Sequence, residues 1–365
     1  MIQSEHGGAV AQAARELGVS ARAIVDFSAS INPLGPPPNV LGAAREALDE
    51  VMHYPEIDAA SLAEALASHH GPPVAHLLPG SGSTELIYLF PRVLRPRRAL
   101  LVTPAFSEYE RSLVQAGTQI DVFPLRVEEQ FRLDPERLLR ALDSSTDLVM
   151  LANPGNPTGV GIDPGVIEQI ARAVREQAVV AVDEAFVDFC PHRSVLEKVP
   201  LHGNLYVFRS LTKFYAIPGL RVGYLAGPAR GIARLSEARE PWALSAPALA
   251  AGRACLGEQG FRERTLLELP RLREELGRGL EDLGLTVFCG EANYLLARLE
   301  GAGASAAALA ERLRSQGVLI RECGNFPPLD GRYLRVAVRT SEENRRLLEG
   351  LKNLLPLQAA ASASG

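Results

Sequence analysis

Six short, nearly unbroken apolar runs restrict this chain more than any other feature: RALLVTP (98–104), TQIDVFP (118–124), DLVMLANP (147–154), AVVAVDEAF (178–186), LYVFRS (205–210) and RVGYLAG (221–227). Runs this short and this apolar fit strands covered on both faces, because a strand with one face in water alternates apolar with polar residues. Longer stretches with helical spacing lie among them, SEYERSLVQAG (107–117) and PGVIEQIARAVREQ (164–177), preceded by STELIYLFPRVL (83–94). Repeated alternation of strand and helix implies an α/β fold, a mostly parallel mixed sheet flanked by helices. The step from 205–210 to 221–227 is too short for a helical crossover, so that last strand is expected to run antiparallel.

From about residue 245 the texture changes to the helical patterns 260–284, 304–317 and 341–355, with TVFCG, NYLLARLE and YLRVAVRT as strands. The expected organisation is a large domain over 46–250, a smaller α+β domain from 1–45 and 251–355, and a disordered tail over 356–365. The Pro-rich NPLGPPP (32–38) reads as a turn or rigid connector. With 365 residues, 47% hydrophobic, 22% charged and a net charge of −5, the chain can bury a large core and has no electrostatic bias toward nucleic acid. Cys190, Cys255, Cys289 and Cys323 are far apart and form no CxxC or Cys/His cluster, so neither a metal site nor a disulfide framework is expected. MIQSEHGGAV lacks a basic flank followed by an apolar stretch, and no run approaches a membrane span, which leads us to expect a cytoplasmic protein without a membrane partner.

Four segments carry chemistry. In LPGSGSTELIYLF (78–90) a Gly/Ser turn opens directly into a helix. Its N–H groups and hydroxyls, at Gly82, Ser83 and Thr84, suit a phosphate, although the same residues also serve as an ordinary helix cap. It is not a P-loop, because no GK[ST] follows. ANPGNPTGVG (152–161) places Asn153 and Asn156 at the carboxyl edge of the sheet, where open α/β sheets bind ligands; Asn, Pro and Gly are also the usual turn residues. In VVAVDEAFVDF (179–189) Asp183 ends an apolar strand, and a buried carboxylate calls for a cationic partner, whether structural or functional. RSLTKFYAIPGLRVGY (209–224) sets Lys213 at the sheet edge with Arg221 close behind. Shielded from water and near other cations, such a lysine has a lowered pKa and becomes nucleophilic.

These parts follow one another at successive strand ends, roughly one strand-helix-strand step apart, and together they suit one cofactor. It is a phosphorylated pyridine aldehyde, pyridoxal 5'-phosphate, held by a lysine through its aldehyde with an acid on its ring nitrogen. Lys213 would hold it, and Asp183 would keep the nitrogen protonated so that the ring accepts electrons. Asn156 would meet the ring hydroxyl, while Ser210, Arg221 and the Gly82–Thr84 turn would take the phosphate. Phe106, in VTPAFSEY, would stack on the ring or else simply fill core.

With HGG (6–8), DFSASINPLGPP (26–37), DEAFVDF (183–189), the Lys213 segment and IRECGNFPPLDGRYLRVAVRT (320–340), the sequence resembles the fold type I pyridoxal-phosphate enzymes. The resemblance spans nearly the whole chain and falls in the aspartate aminotransferase-like class that includes histidinol-phosphate aminotransferase, closest to a branch that decarboxylates a small phosphorylated amino acid. It implies a homodimer with shared active sites, in which Tyr54 of HYPE (53–56) reaches the cofactor phosphate of the neighbouring subunit. It also implies a substrate pocket lined by His6, Gly7, Asn32, Asn156, Arg321 and Arg335; guanidinium forks suit carboxylate and phosphate. Histidinol-phosphate aminotransferases usually carry Tyr where this chain has Phe186, so a hydrogen bond to the ring oxygen is missing and transamination is disfavoured. An aminotransferase acting on histidinol phosphate or an aromatic amino acid is the nearest rival. A non-catalytic ligand-binding regulator on the same fold is another, but its expected basic DNA-binding segment is absent from the sequence. No GxGxxG follows a strand, which disfavours a nicotinamide enzyme.

Overall fold

The computed structural model describes residues 6–301 and 304–355. After a two-residue strand, β1 (Val25–Asp26), come β2 (Leu77–Gly80), β3 (Arg98–Thr103), β4 (Gln119–Pro124), β5 (Leu148–Ala152), β6 (Val179–Asp183), β7 (Leu205–Ser210) and β8 (Gly223–Ala226). These last seven form one sheet in the order β2-β8-β7-β6-β5-β3-β4. The neighbours from β4 through β7 are parallel, whereas β8 runs antiparallel to both β7 and β2, as the short 211–222 connection requires.

Side chains alternate along a strand, so each apolar run feeds two cores. Leu100, Val102, Val149, Leu151, Val207 and their neighbours pack on one face. Leu101, Leu148, Met150, Tyr206 and Phe208 pack on the other. The second face is covered by the helices Gly82–Leu94, Ser107–Gln115 and Ala229–Ala238 through Leu86, Phe90, Leu113 and Leu235. Helices Ala60–His70 and Pro164–Ala173 cover the first through Leu62, Leu66, Ile167 and Ile170. Each such fully buried side chain contributes about 1.5–3 kcal/mol. The α/β expectation is met.

Sequence patterns missed β2, because Pro79 lowers its strand character; it survives as an edge strand, where a missing N–H is tolerated. The apolar runs also end earlier than their composition predicts. AVVAVDEAF leaves the sheet at Asp183, whose carboxylate turns back to accept the N–H of Ala185.

A second, antiparallel sheet has the order β12-β13-β10-β9, built from β9 (Thr286–Phe288), β10 (Tyr294–Arg298), β12 (Arg321–Glu322) and β13 (Tyr333–Ala337). The helix Gln259–Asp282 packs beside it, and the helix Ser341–Leu354, opened by a Thr340/Glu343 capping box, packs against that helix. Between them β11 (Val318–Leu319) pairs in parallel with β1, so the N-terminal segment is bound to the C-terminal part of the chain. The tail expected over 356–365 lies outside the described residues.

Candidate active site

The carboxyl ends of β5, β6 and β7 open at one edge of the sheet, the ligand-binding edge of such folds. There a cavity of about 190 Å³ is lined by Lys213, Asp183, Asn156, Ser83, Thr84 and Phe106. His6, Gly7, Phe186, Arg321 and Arg335 also line it, and Ser28, Ala29, Ser30, Ala185 and Phe326 complete its wall. It adjoins a wider cleft that shares His6, Gly7, Ser28 and Arg321.

Asp183 is buried at the end of β6. Its Oδ2 accepts a 2.5 Å hydrogen bond from the Tyr109 hydroxyl, and its Oδ1 accepts one of 2.8 Å from the Ala185 N–H. Burial pushes its pKa up, opposed by those two donors and by the charge of Lys213. The cationic partner expected from the sequence is therefore replaced at hydrogen-bond distance by neutral donors. Lys213 sits on the short helix Leu211–Phe214 directly after β7. Burial, then the charges of Arg335 and Arg221, push its ammonium pKa down to about 8, with Asp183 acting the other way. An amine with that pKa is partly neutral near physiological pH and is competent as a nucleophile.

The phosphate-like corner is made where β8 presses on the start of the helix Gly82–Leu94. Ser81 occupies the N-cap without a side-chain cap bond, so Ser83 and Thr84 lie in the first turn, on the cavity wall, and do not cap the helix from outside it. First-turn N–H groups lack intrahelical partners and favour an anion. Gly82 has φ +75°, and a Cβ there would come 2.6 Å from Nη2 of Arg221. Ser210 caps the Lys213 helix and shares a 2.7 Å hydrogen bond with Thr212. Gly223 permits the close approach, since a Cβ on it would lie 2.6 Å from the Arg209 carbonyl oxygen and 2.9 Å from the Ser83 nitrogen. Both contacts are backbone, which cannot rotate away. Gly223→Ala is accordingly expected to cost about 1–3 kcal/mol by overpacking and to lower the midpoint of thermal unfolding; an unchanged midpoint would show that the corner accommodates a methyl group.

Arg335 on β13 crosses from the second sheet into the cavity. Its Nη1 donates to Oδ1 of Asn156 and its Nη2 donates to the Ser28 carbonyl at 2.8 Å. Arg321, on β12, donates to Asn325 at 2.9 Å and lies over the Phe326 ring. Nε2 of His6 stands 2.8 Å from Oε1 of Glu108, and Gly7 is pressed against Ser28, where a Cβ would meet the carbonyl oxygen at 2.1 Å. Phe106 lies edge-on to Tyr109 at 5.7 Å, and Phe186 packs edge-on against Tyr294 at 5.0 Å.

Gly82, Ser210 and Arg221 form the corner beside the cavity and are not among the residues that line it, and three further expected residues stand elsewhere. Asn32 is buried with its amide donating to the Phe214 carbonyl and to Thr265 while its oxygen accepts from Leu34; it braces the Lys213 helix and does not line the cavity. Asn153 is spent on backbone groups, its amide donating to the Arg193 and Ile162 carbonyls while its oxygen accepts the Ile162 N–H. Tyr54 is 81% exposed beside Trp242, outside the residues that line this chain's cavity. Sequence reasoning missed Tyr109, Thr212 and Ser30, whose buried hydroxyl has no hydrogen-bond partner. Tyr109 had a findable signal: it follows Phe106 at helical spacing, on the same face. No cluster of metal-ligating side chains occurs among the described residues.

The family described as Aminotransferase class I and II matches residues 22–351. The threonine-phosphate decarboxylase of Salmonella typhimurium is 41% identical over 362 residues, covering 97% of this chain and 98% of that protein. The adenosylcobalamin biosynthesis bifunctional protein of Leptospira interrogans is 29% identical over 96% of this chain, which spans 41% of its length. Among solved structures, histidinol-phosphate aminotransferase from Sinorhizobium meliloti in complex with pyridoxal-5'-phosphate superposes with a TM-score of 0.87 at 25% identity, over 97% of this chain and 96% of that one.

Proposed function

The chain belongs to the aminotransferase class I and II family and shares its α/β fold, and from that footing we propose that it is a pyridoxal-phosphate-dependent carboxy-lyase converting L-threonine O-3-phosphate to (R)-1-amino-2-propanol O-2-phosphate. The observation that carries this is a single cavity holding Lys213 and Asp183 together with Arg321, Arg335 and His6. That set suits a substrate with both a carboxylate and a phosphate.

The residues present fit the cofactor. The amine is lowered toward neutrality, the carboxylate is buried beside it, and Gly82 at the helix N-terminus leaves room for the Arg221 guanidinium that a Cβ would push away. When bound, pyridoxal phosphate supplies a ring that takes up the electron pair left when a bond to the substrate α-carbon breaks. Lys213 would hold it through Nζ and, once released by substrate, deliver a proton to the α-carbon after carbon dioxide leaves. Asp183 would hold the proton of the ring nitrogen. Asn156 already spends Oδ1 on Arg335, which leaves Nδ2 to donate to the ring hydroxyl. Gly82, Ser83, Thr84, Ser210 and Arg221 would bind the cofactor phosphate and Phe106 would cover the ring. Arg321 and His6 would anchor the substrate phosphate, with Gly7 giving it room and Arg335 near its carboxylate.

A homodimer completes this proposal, with Tyr54 reaching the other subunit's cofactor phosphate. Its support is an exposed apolar group, Leu48, Val51, Met52, Tyr54 and Trp242, of a kind that marks interfaces. The division into a large domain (46–250) and a small one (1–45 with 251–355) belongs to the same proposal, as do a cytoplasmic location and a place in adenosylcobalamin biosynthesis, which draws on the bifunctional relative. No described helix is long and apolar enough to cross a membrane.

Incubating the cofactor-loaded protein with threonine phosphate should release carbon dioxide in step with the amino-alcohol phosphate. An oxo acid without carbon dioxide would overturn the assignment in favour of transamination. Neither product, from protein that has bound its cofactor, would point to a ligand-binding regulator.

A further inference from the structure

We propose that Tyr109 is a positioning residue for the reaction, acting through Asp183: its hydroxyl fixes the carboxylate that holds the cofactor's ring nitrogen and favours that carboxylate's ionised form. The proposal rests on the cofactor assignment above. Four observations support it. Tyr109 is 1% exposed and its only polar side-chain atom points at Asp183 at 2.5 Å. The second carboxylate oxygen is held from another direction by the Ala185 N–H, so two donors set the plane of the group. Tyr109 lies on the first turn of the helix Ser107–Gln115, next to the Phe106 that starts it, and the two rings touch edge-on at 5.7 Å. One helical turn thus supplies both the ring-covering residue and the hydroxyl behind the acid. Finally, burial and the adjacent Asp183 push the phenol's own pKa well above its usual value, so the proton stays on oxygen and the group donates.

A buried carboxylate without such donors tends to take up a proton, and a protonated Asp183 would no longer pair with a charged ring nitrogen. Removing one hydroxyl should therefore weaken both cofactor retention and turnover while leaving substrate contacts alone. This separates the inference from mere core packing, which Tyr109→Phe preserves in shape.

The test compares wild type, Y109F, D183N and the double variant as cofactor-loaded proteins. Dissociation of pyridoxal phosphate is read from loss of the visible absorbance on dilution, and steady-state rates are measured with threonine phosphate. Y109F is expected to bind the cofactor about tenfold more weakly and to lose about tenfold in kcat, the scale of a hydrogen bond to a charged group. Its KM for threonine phosphate should stay within about twofold, because Tyr109 touches no substrate-binding group. In the D183N background the same substitution should change cofactor affinity by less than about twofold, since no carboxylate remains there to be kept ionised. Cofactor affinity and kcat of Y109F both within twofold of wild type would overturn the inference, as would an undiminished effect in the D183N background. If Y109F does not fold, Tyr109→His, which keeps a ring donor, replaces it; a tenfold loss of affinity there would count against the inference, and retention within threefold would support it. A wild-type protein that takes up no pyridoxal phosphate would instead sink the cofactor assignment itself.

Discussion

Lys213→Ala is expected to abolish the bond to pyridoxal phosphate and to lower decarboxylation by about 10³-fold or more, the scale lost with an activated nucleophile that also serves in proton transfer. The wild-type protein should be yellow and should fix its cofactor permanently on borohydride reduction, whereas K213A should do neither. The environment of the amine adds a sharper expectation. Burial and two neighbouring arginines bring its pKa down to about 8, so at lower pH the lone pair is protonated and each unit of acidification removes most of the reactive form. Capture of the cofactor by the empty protein should therefore speed up about tenfold per pH unit until pH approaches 8 and level off above it. Stability of the empty protein runs the same way. The unfolded lysine keeps its proton up to its ordinary pKa of 10.5 and the folded one releases it near 8, so the unfolded state binds more protons between them and stability rises with pH across that window. K213A removes a buried cation that costs on the order of 3 kcal/mol at neutral pH, so it should unfold no earlier than the wild-type empty protein. Lost activity with retained fold is then a statement about chemistry. A K213A protein that stays yellow and active would remove the central assignment.

Lys213 and Asp183 were legible because each breaks the hydrophobic pattern at the place where a strand ends, and burying a charge is costly enough to need a reason. The sheet was legible for a similar cause: strands covered on both faces must be apolar at every position, whatever their neighbours. Legibility stopped where meaning depends on which side chains meet from distant elements. Asn32 carries the chemistry of a ligand, yet Phe214 and Thr265 use up its amide. Tyr109 reads as an ordinary helix aromatic until the fold brings it to Asp183, and β2 reads as a turn because of Pro79 until β8 gives it a partner. Tyr54 shows the remaining limit. One chain leaves it on an exposed surface, and the role proposed for it would need a second copy.

Arg209→Leu is expected to be the most destabilising single change near the site. Successive residues of a strand point to opposite faces, so Asp183 turns to the cavity while Glu184 turns into the core, and Ser210 and Arg209 divide likewise. Arg209, 4% exposed, answers Glu184 at 3.2 Å and Asp188 at 2.6 Å, and Arg262 adds a third contact to Asp188 at 3.3 Å. Replacing the whole group by packed apolar residues could be neutral, but removing Arg209 alone leaves two buried carboxylates facing one remaining arginine. Breaking a buried pair in this way costs about 3–5 kcal/mol, and thermal unfolding should move down by roughly 5 °C. The pH dependence tests the cause. Burial raises the pKa of Asp188, but Arg209 and Arg262 outweigh it and hold the carboxyl below its usual value. A depressed carboxylate adds stability above its unfolded pKa and loses it as pH falls through the folded one. In R209L much of that depression goes, and Glu184, which burial already pushes upward against Arg209, rises further and takes up a proton more easily. The gap between variant and wild type should therefore be widest near neutral pH and narrow on acidification through the carboxylate range. The cofactor should also dissociate faster from R209L, because the ends of β6 and β7 that carry Asp183 and the Lys213 helix are held from behind by this cluster. A variant within about 1 kcal/mol of wild type at pH 7, or a gap that widens in acid, would mean that the carboxylates are relieved by some route other than Arg209.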